Sequence, residues 1–188
     1  MIKTFQRVRI ILVLGLLSIL GNPAAAQAVE YVCTPCGHPC DGKVQMKGGE
    51  CPTCRMAMVP RETVKITDLT PAEFCARIAA NPDAIILDVR SEGEFKGTTT
   101  SVETYGHFKK AININTNQLT MRISELKDFK NREILVYCSQ SYRSPRAAYY
   151  LNMQGFSNVK NLTGGLSKAG AVLKSACYRD HFTAHEKK

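Results

Sequence analysis

Two short, uninterrupted apolar runs constrain the fold of this chain more than any other feature of its sequence. The predicted strands at 84–89 and 133–137 contain the apolar runs 84–87 and 134–137, and polar or turn-forming residues bound each run. A strand with both faces buried gives a continuous run of this kind, and such strands belong to parallel sheets covered by helices. The two runs therefore predict the centre of a parallel β-sheet.

Helix signals alternate with strand signals along this part of the chain. Thr70, Pro71 and Glu73 form the pattern of an N-cap, a first-turn proline and a capping box. The predicted strands are 64–66, 84–89, 111–114, 133–137 and 159–162, and the predicted helices are 71–80, 119–126, 145–153 and 166–174. On the first helix, the residues expected to face the core are Phe74, Cys75 and Ile78. The alternation predicts an α/β fold, a parallel central sheet flanked by helices on both faces.

The residues before the first of these strands have a different composition. Residues 29–60 are rich in Cys, Gly and Pro and show almost no apolar periodicity, so we place a boundary near Pro60. The predicted division is a signal peptide (1–28), a cysteine-rich metal-binding module (29–60), the α/β domain (61–176) and an unstructured basic C-terminal tail (177–188).

The first residues have the order of a secretory signal peptide. Lys3, Arg7 and Arg9 precede an apolar run at residues 10–20, and small residues at 24–28 follow it. A membrane-spanning helix needs about 20 apolar residues, more than this run has. We expect cleavage after Ala28 and a periplasmic or secreted protein. Retention as an N-terminal membrane anchor is the alternative.

Cys138 is the strongest candidate for a reactive residue. It follows the strand at 133–137 and precedes a helix whose start is marked by Ser144 as N-cap and Pro145 as first helical residue. Open α/β sheets bind ligands at the carboxyl ends of their strands, and the unpaired amides of a helix N-terminus favour an anion. Arg143 adds a fixed cation. The loop is therefore predicted to hold an anionic sulfur, either a thiolate or a persulfide.

A series of ordered motifs over residues 63–175 resembles the rhodanese family. The motifs are Leu87-Asp88-Val89-Arg90, Glu94-Phe95, Gly106-His107-Phe108, Ala111-Ile112-Asn113-Ile114, Val136-Tyr137-Cys138 with Arg143-Ser144, and Leu162-Thr163-Gly164-Gly165. The resemblance implies a sulfurtransferase without a cofactor in this domain. Cys138 would accept a sulfane sulfur from a small anionic donor such as thiosulfate, form a persulfide, and pass the sulfur to a thiol or cyanide-like acceptor.

The resemblance also implies roles for the neighbouring residues. Arg143 would help to hold the anionic substrate, Asp88 and Arg90 would tie the sheet edge to neighbouring loops, and His107 would be structural. The amides of the active loop, defined here as residues 138–144, would cradle the persulfide. The substrate-binding residues of this loop are Ser139, Gln140, Ser141, Tyr142 and Ser144. Ser141 stands where many active members carry a glycine.

Some alternatives stay open at this point. The C-x4-R spacing from Cys138 to Arg143 disfavours a cysteine phosphatase, whose loop is one residue longer because it encloses a phosphate. A catalytically silent rhodanese fold that binds a soft metal or a partner is the alternative function. Residues 98–105 are an insertion relative to the family, either a lid, a partner-binding loop or a solvated surface loop.

Five cysteines crowd into the N-terminal module. Two pairs, Cys33 with Cys36 and Cys51 with Cys54, have the spacing of a tetrathiolate zinc site. A segment this short cannot build its own core, so either a metal or disulfides must stabilise it. The segment 31–59 also resembles the small heavy-metal-binding domains found beside metal-handling proteins, which implies a zinc-ribbon-like module. The module would either stabilise the α/β domain or dock a protein partner.

Zinc at these four cysteines is the favoured interpretation, with copper and disulfides as alternatives. His38 and Cys40 are extra candidate ligands, and Met56 and Met58 are soft enough for copper(I). Cys75 and Cys177 have no catalytic role in this interpretation and would pair with each other.

Charge argues against a nucleic-acid partner. The formal net charge is +9, but the Lys and Arg residues are scattered and lack the interleaved aromatic residues of a single-strand binder. We interpret the basic balance as solvated surface with attraction for small anions.

Overall fold

The computed structural model describes residues 28–169 and 175–185, except for the side chain of Cys177. The helices and strands follow one another in this order: β1 (Tyr31–Cys33), β2 (Gly49–Glu50), β3 (Ala57–Pro60), β4 (Ile66–Leu69), α1 (Pro71–Ala80), β5 (Ile85–Asp88), α2 (Glu92–Lys96), β6 (Gly106–Phe108), β7 (Ile112–Asn113), α3 (Leu119–Arg122), β8 (Ile134–Tyr137), α4 (Ser144–Met153), β9 (Val159–Leu162), α5 (Gly165–Ala169), α6 (Ala176–His181) and β10 (Phe182–Ala184). Two short 3-10 helices cover Arg61–Thr63 and Ile123–Phe129.

The central sheet has five strands in the order β4-β9-β8-β5-β7, and every neighbouring pair is parallel. The predicted α/β class is confirmed. The buried runs of the sequence correspond to β5 and β8, which lie side by side, with Ile85 opposite Ile134 and Asp88 opposite Tyr137. The carboxyl end of β8 is therefore surrounded by other strand ends, and this is where Cys138 lies.

Helices on both faces of the sheet explain the uninterrupted apolar runs. In β8, Ile134 and Val136 belong to the core on one face, while Leu135 and Tyr137 belong to the core on the other. The first core includes Leu151 of α4, and the second includes residues of α1 and α5. A strand of this kind has no polar face, so its sequence shows no alternation.

The capping box predicted for α1 is confirmed. The Thr70 side chain accepts a hydrogen bond from the Glu73 amide, and the Glu73 carboxylate accepts one from the Thr70 amide. The predicted core residues of this helix, Phe74, Cys75 and Ile78, are buried. Strand β4 covers Ile66–Leu69 instead of the expected 64–66, and the helix expected at 119–126 is α3 followed by a 3-10 segment. The other predicted boundaries agree to within one residue, and residues 170–174 of the helix expected at 166–174 lie outside the described residues.

The C-terminal residues are structured as far as residue 185, so the expectation of an unstructured tail is wrong for this part. Strand β10 pairs antiparallel with β6, with Phe182 opposite Phe108. Tyr178 and Phe182, four residues apart, both pack against Phe108. Tyr178 of α6 and Phe182 at the start of β10 thus dock the C-terminal segment on β6. Residues 186–188 lie outside the described residues.

The N-terminal module is a three-stranded antiparallel sheet in the order β1-β3-β2. Its small core consists largely of cysteines, joined by Met58. The predicted signal peptide falls almost entirely outside the described residues. In the described part of the chain, no helix combines the length and apolarity needed to cross a membrane.

Candidate active site and cysteine cluster

Cys138 lies directly after β8 and before α4, with its sulfur enclosed. Two donors point at its Sγ: the Ser141 amide at 3.1 Å and the Ser144 hydroxyl at 3.4 Å. The residue is only 1% exposed. The active loop thus wraps around the sulfur with hydrogen-bond donors, which suits a thiolate or a persulfide anion.

The start of α4 differs from the prediction. Arg143 is the N-cap and makes no side-chain cap, while Ser144 is the first helical residue and Pro145 the second. The prediction of Ser144 as N-cap was wrong. Because its hydroxyl does not cap the helix, it is available to Cys138 Sγ.

Ser141 has the backbone conformation that brings its amide to the sulfur. Its φ is 64°, in the left-handed region where glycine is favoured. Two hydrogen bonds hold it there: its hydroxyl donates to the Leu162 carbonyl at 3.2 Å and accepts from Asn161 Nδ2 at 3.3 Å. The serine side chain therefore offsets a backbone strain of order 1 kcal/mol.

Glu94 binds the active loop from the neighbouring helix α2. Its carboxylate forms two hydrogen bonds with Arg143, Oε2 with Nη1 at 2.6 Å and Oε1 with Nη2 at 2.7 Å. Oε1 also accepts from the Ser139 hydroxyl at 2.8 Å. The same carboxylate accepts from the Ser91 amide at the N-cap of α2. A single buried side chain thus joins the start of α2 to both ends of the loop.

The charge of Glu94 is stabilised in the folded protein. Burial by itself would raise the pKa of its carboxyl group, but hydrogen bonds from Arg143, the Ser91 amide and Ser139 lower it to about 2. The side chain of Glu94 is 5% exposed and that of Arg143 is 37% exposed. Both terminal nitrogens of Arg143 are hydrogen-bonded to Glu94. The sequence motif contained Glu94, but sequence reasoning gave it no role.

Glycines let the segment after β9 approach the active loop. A Cβ on Gly165, whose φ is 61°, would lie 2.5 Å from the Cys138 carbonyl oxygen. The close approach allows the Leu166 amide to donate to the Cys138 carbonyl at 3.0 Å, and the Ser167 amide to the Ser139 carbonyl at 2.9 Å. The N-terminus of α5 thereby fixes the first two residues of the loop.

Asp88 and Arg90 form a completely buried ion pair at the end of β5. Arg90 Nη2 lies 2.6 Å from Asp88 Oδ2, and both side chains are 0% exposed. Arg90 also donates to the carbonyls of Thr104 and Gly106. The pair joins the end of β5 to the last residues of the 98–105 insertion.

The N-terminal module packs against the active loop. The backbone of Gly37 lies so close to Ser141 that a Cβ there would overlap the Ser141 carbonyl oxygen. The ring of His38 lies over Tyr142, with centroids 4.9 Å apart. A cavity of about 660 Å³ lies between the two parts of the chain, and Gln140 and Ser141 are among the residues that line it. Cys138 itself does not line the cavity.

The cysteine cluster differs from the predicted ligand set. Four thiols whose Sγ atoms all lie within 4.8 Å of one another belong to Cys33, Cys40, Cys51 and Cys54. Cys40 therefore takes the place in which sequence spacing put Cys36. Cys36 belongs to a second group, Cys33, Cys36, Cys40 and Asp41, which satisfies the same limit. His38 is in neither group.

Asp41 explains why Cys40 instead of Cys36 joins the tetrathiolate group, and sequence reasoning missed this residue. Its Oδ2 accepts from the Cys36 amide at 2.9 Å and the Gly37 amide at 2.7 Å, while its Oδ1 lies 3.1 Å from Cys36 Sγ. The Asp41 amide donates to the His38 carbonyl at 2.9 Å. These hydrogen bonds close a turn over residues 36–41, and the turn brings Cys40 back towards the other thiols.

The thiols of the cluster are in unlike environments. Burial, assisted by neighbouring thiols, raises the pKa of Cys33 far above that of a free cysteine. Hydrogen bonds from the Cys54 and Thr53 amides lower the pKa of Cys51 to about 7. All five cluster cysteines are free thiols, whereas Cys75 is disulfide-bonded. Pairing of Cys75 with Cys177 stays a prediction, because the side chain of Cys177 is not described.

Comparisons with known proteins agree with the fold. The rhodanese-like domain family matches residues 70–171. The uncharacterized protein YqhL of Bacillus subtilis is 36% identical over 107 residues, which are 57% of this chain and 75% of YqhL. A tRNA uridine(34) hydroxylase of Buchnera aphidicola is 34% identical over 92 residues, 47% of this chain and 27% of that protein.

The hydroxylases extend well beyond the shared region. This chain spans between about a quarter and a third of the length of the first relatives it matches. Among solved structures, a thiosulfate sulfurtransferase of Pseudomonas aeruginosa is 27% identical, with a TM-score of 0.46, and the match covers 56% of this chain and 19% of that one.

Proposed function

The chain belongs to the rhodanese-like domain family, and from this premise we propose that it is a sulfurtransferase that carries sulfur as a persulfide on Cys138. The observation that carries the proposal is the pair of donors on Cys138 Sγ, the Ser141 amide and the Ser144 hydroxyl, at the end of the central strand. Donors placed around a sulfur stabilise its anionic form, which is both the attacking nucleophile and the product of the first step.

The reaction has two half-reactions. The Cys138 thiolate attacks the outer sulfur of thiosulfate, a sulfur–sulfur bond forms at Sγ, and sulfite leaves with the electron pair of the broken bond. The acceptor, a thiol or cyanide, then attacks the terminal sulfur and takes it away, and the thiolate is restored. Neither half-reaction needs an external oxidant or a cofactor.

Arg143 acts mainly as a positioning residue in this proposal. Both of its terminal nitrogens bind Glu94, so the ion pair is nearly neutral as a unit. Its effect is to hold the loop in the shape that presents the Ser141 amide to the sulfur. The charge of an anionic donor is then met by amides at the N-terminus of α4 more than by the guanidinium.

Donor entry requires a local movement, because Cys138 is 1% exposed. Tyr142 of the active loop is 48% exposed, and its ring contacts that of His38 in the module. We propose that this side chain and the module segment that contacts it move when the donor enters.

The named activity of the tRNA uridine(34) hydroxylases belongs to those longer proteins. For this chain we propose small donors and acceptors and no nucleic acid, because its Lys and Arg residues are scattered. We further propose that the chain is exported, on the strength of the charged, apolar and small-residue order of residues 3–28.

The N-terminal module is proposed to hold zinc through Cys33, Cys40, Cys51 and Cys54. Their grouping within 4.8 Å fits a tetrahedral tetrathiolate site, and the module has little else in its core. Zinc there would supply folding energy to the module, which in turn contacts the active loop through Gly37.

Turnover of thiosulfate and cyanide tests the enzymatic proposal. We expect the parent to form thiocyanate, Cys138→Ser to lose the activity, and Cys51→Ser to keep an active Cys138. Loss of activity in Cys51→Ser with an unfolded module would show only that the module is needed. Absence of thiocyanate in the zinc-loaded parent would overturn the proposal and favour the alternative, a binding protein with a silent rhodanese fold.

A further inference from the structure

The two groups of candidate metal ligands in the cysteine cluster have two cysteines in common. Cys33 and Cys40 belong to both groups, whereas Cys51 and Cys54 belong only to the first and Cys36 and Asp41 only to the second. Each group has four potential ligand atoms within 4.8 Å of one another. If each group formed a tetrahedron of ligands, Cys33 and Cys40 would be the edge that the two tetrahedra share. Two metal ions bridged by two thiolates have this geometry.

We propose that the module binds two divalent d10 ions of the zinc class, bridged by the thiolates of Cys33 and Cys40. The first ion would have Cys51 and Cys54 as terminal ligands, and the second would have Cys36 and Asp41. This inference deepens the proposed zinc binding of the module and adds a site that a single tetrathiolate ion leaves unused.

Distances on the second site fit this geometry. Around a tetrahedral zinc with Zn–S bonds of about 2.3 Å, neighbouring sulfurs lie about 3.8 Å apart. Cys36 Sγ lies 4.0 Å from Cys33 Sγ and 3.7 Å from Cys40 Sγ. On the first site, Cys33 and Cys54 are 3.0 Å apart and must separate by less than 1 Å to admit an ion.

The carboxylate of Asp41 is oriented as a ligand. The amides of Cys36 and Gly37 hold its Oδ2, so Oδ1 is left directed at the cluster, 3.1 Å from Cys36 Sγ. Fixing one oxygen by outer hydrogen bonds while the other coordinates is the usual arrangement of a carboxylate ligand.

The ligand set favours zinc-class ions over copper(I). Each group offers four ligand atoms, and one of them in the second group is a hard carboxylate oxygen. Soft copper(I) selects thiolate and thioether ligands, whereas zinc accepts thiolate and carboxylate together in a tetrahedron. Two divalent ions also balance more of the charge of five thiolates and one carboxylate.

The second site lies next to the contact with the active loop. Asp41 binds the Gly37 amide, and Gly37 in turn lies against the Ser141 backbone. An ion on Asp41 and Cys36 would therefore stiffen the turn that covers the loop, one residue away from its contact point.

Metal stoichiometry of the full chain tests the proposal. The chain is purified under reducing conditions, loaded with zinc, freed of excess metal, and measured by native mass spectrometry. We expect two zinc ions in the parent and one each in Cys36→Ser and Asp41→Asn. Glu62→Gln, which removes an exposed carboxylate two residues beyond the module, is the matched control and should keep two.

Cadmium-113 NMR adds a test of the bridges. Two resonances that split each other are expected in the parent, because scalar coupling passes through shared sulfurs, and a single resonance is expected in Cys36→Ser. One ion in the parent would overturn the dinuclear proposal and leave the single zinc site standing, and two uncoupled resonances would overturn the bridges. No bound metal would overturn both, while thiocyanate formation reports on Cys138 separately.

Discussion

Replacing Glu94 with glutamine tests the tie between α2 and the active loop. The variant keeps the shape of the side chain but removes the charge that holds Arg143 at 2.6 and 2.7 Å. The pKa of Glu94 is lowered to about 2 in the folded protein, more than two units below its ordinary value of about 4.3. At about 1.4 kcal/mol per unit this corresponds to about 3 kcal/mol, and partial exposure of Arg143 reduces the expectation to about 2 kcal/mol.

The stabilisation by Glu94 should depend on pH in one direction. Because folding lowers the pKa, the stabilisation is fully present above about pH 4.3 and is lost as the pH falls towards 2. Urea unfolding should therefore show Glu94→Gln less stable than the parent by about 2 kcal/mol at pH 7. The difference should shrink between pH 4.3 and 2. Glu92→Gln, which removes an exposed carboxylate of the same helix, should leave stability nearly unchanged.

Sulfur transfer should fall in the same variant, because the loop that presents the Ser141 amide loses its anchor. The rate of the first half-reaction, followed by sulfite release, measures this. A Glu94→Gln protein with parental stability at pH 7, or a stability difference that does not change on acidification, would refute the reasoning.

Three further perturbations have defined outcomes. Gly165→Ala introduces a Cβ 2.5 Å from the active-loop backbone, so we expect thiosulfate turnover to fall at least tenfold, and unchanged kinetics would contradict the close approach. Arg90→Leu leaves Asp88 buried without its partner, and urea unfolding should show a loss of about 3–5 kcal/mol, whereas a loss below 1 kcal/mol would be inconsistent with a desolvated pair. Burial, together with nearby positive charge, lowers the pKa of His107 and of His185, so the stability that these neutral rings contribute is fully present above about pH 6.5 and falls on acidification below it. Protection factors of the β10 amides, corrected for the intrinsic pH dependence of exchange, that stay the same between about pH 7.5 and 5.5 would argue against this.

The sequence predicted the parts of the fold that depend on local pattern. Strand β9 begins and ends at the predicted residues, 159 and 162, and the capping box at Thr70 and Glu73 is present. These features succeed because buried strands and capped helices leave signals within a few neighbouring residues. The docking of the C-terminal segment was missed because its partner, Phe108, is 70 residues or more away in sequence.

The candidate site was predicted in its position but not in its contacts. Cys138 lies where the end of a central strand puts it. The clamp from Glu94 was not foreseen, because Arg143 is 49 residues away and a motif does not state which side chains meet. In the module, C-x-x-C spacing favoured Cys36, whereas the turn held by Asp41 brings Cys40 into the tetrathiolate group instead. Pairing by spacing fails where a short segment folds back on itself.

The most direct test of the account is where sulfur resides after the first half-reaction. The reduced, zinc-loaded chain is incubated with thiosulfate in the absence of an acceptor and analysed by intact and peptide mass spectrometry. We expect a gain of one sulfur atom on Cys138, its removal by cyanide, and no gain in Cys138→Ser. Sulfur found only on the cysteines at 33–54, or no gain at all, would contradict it.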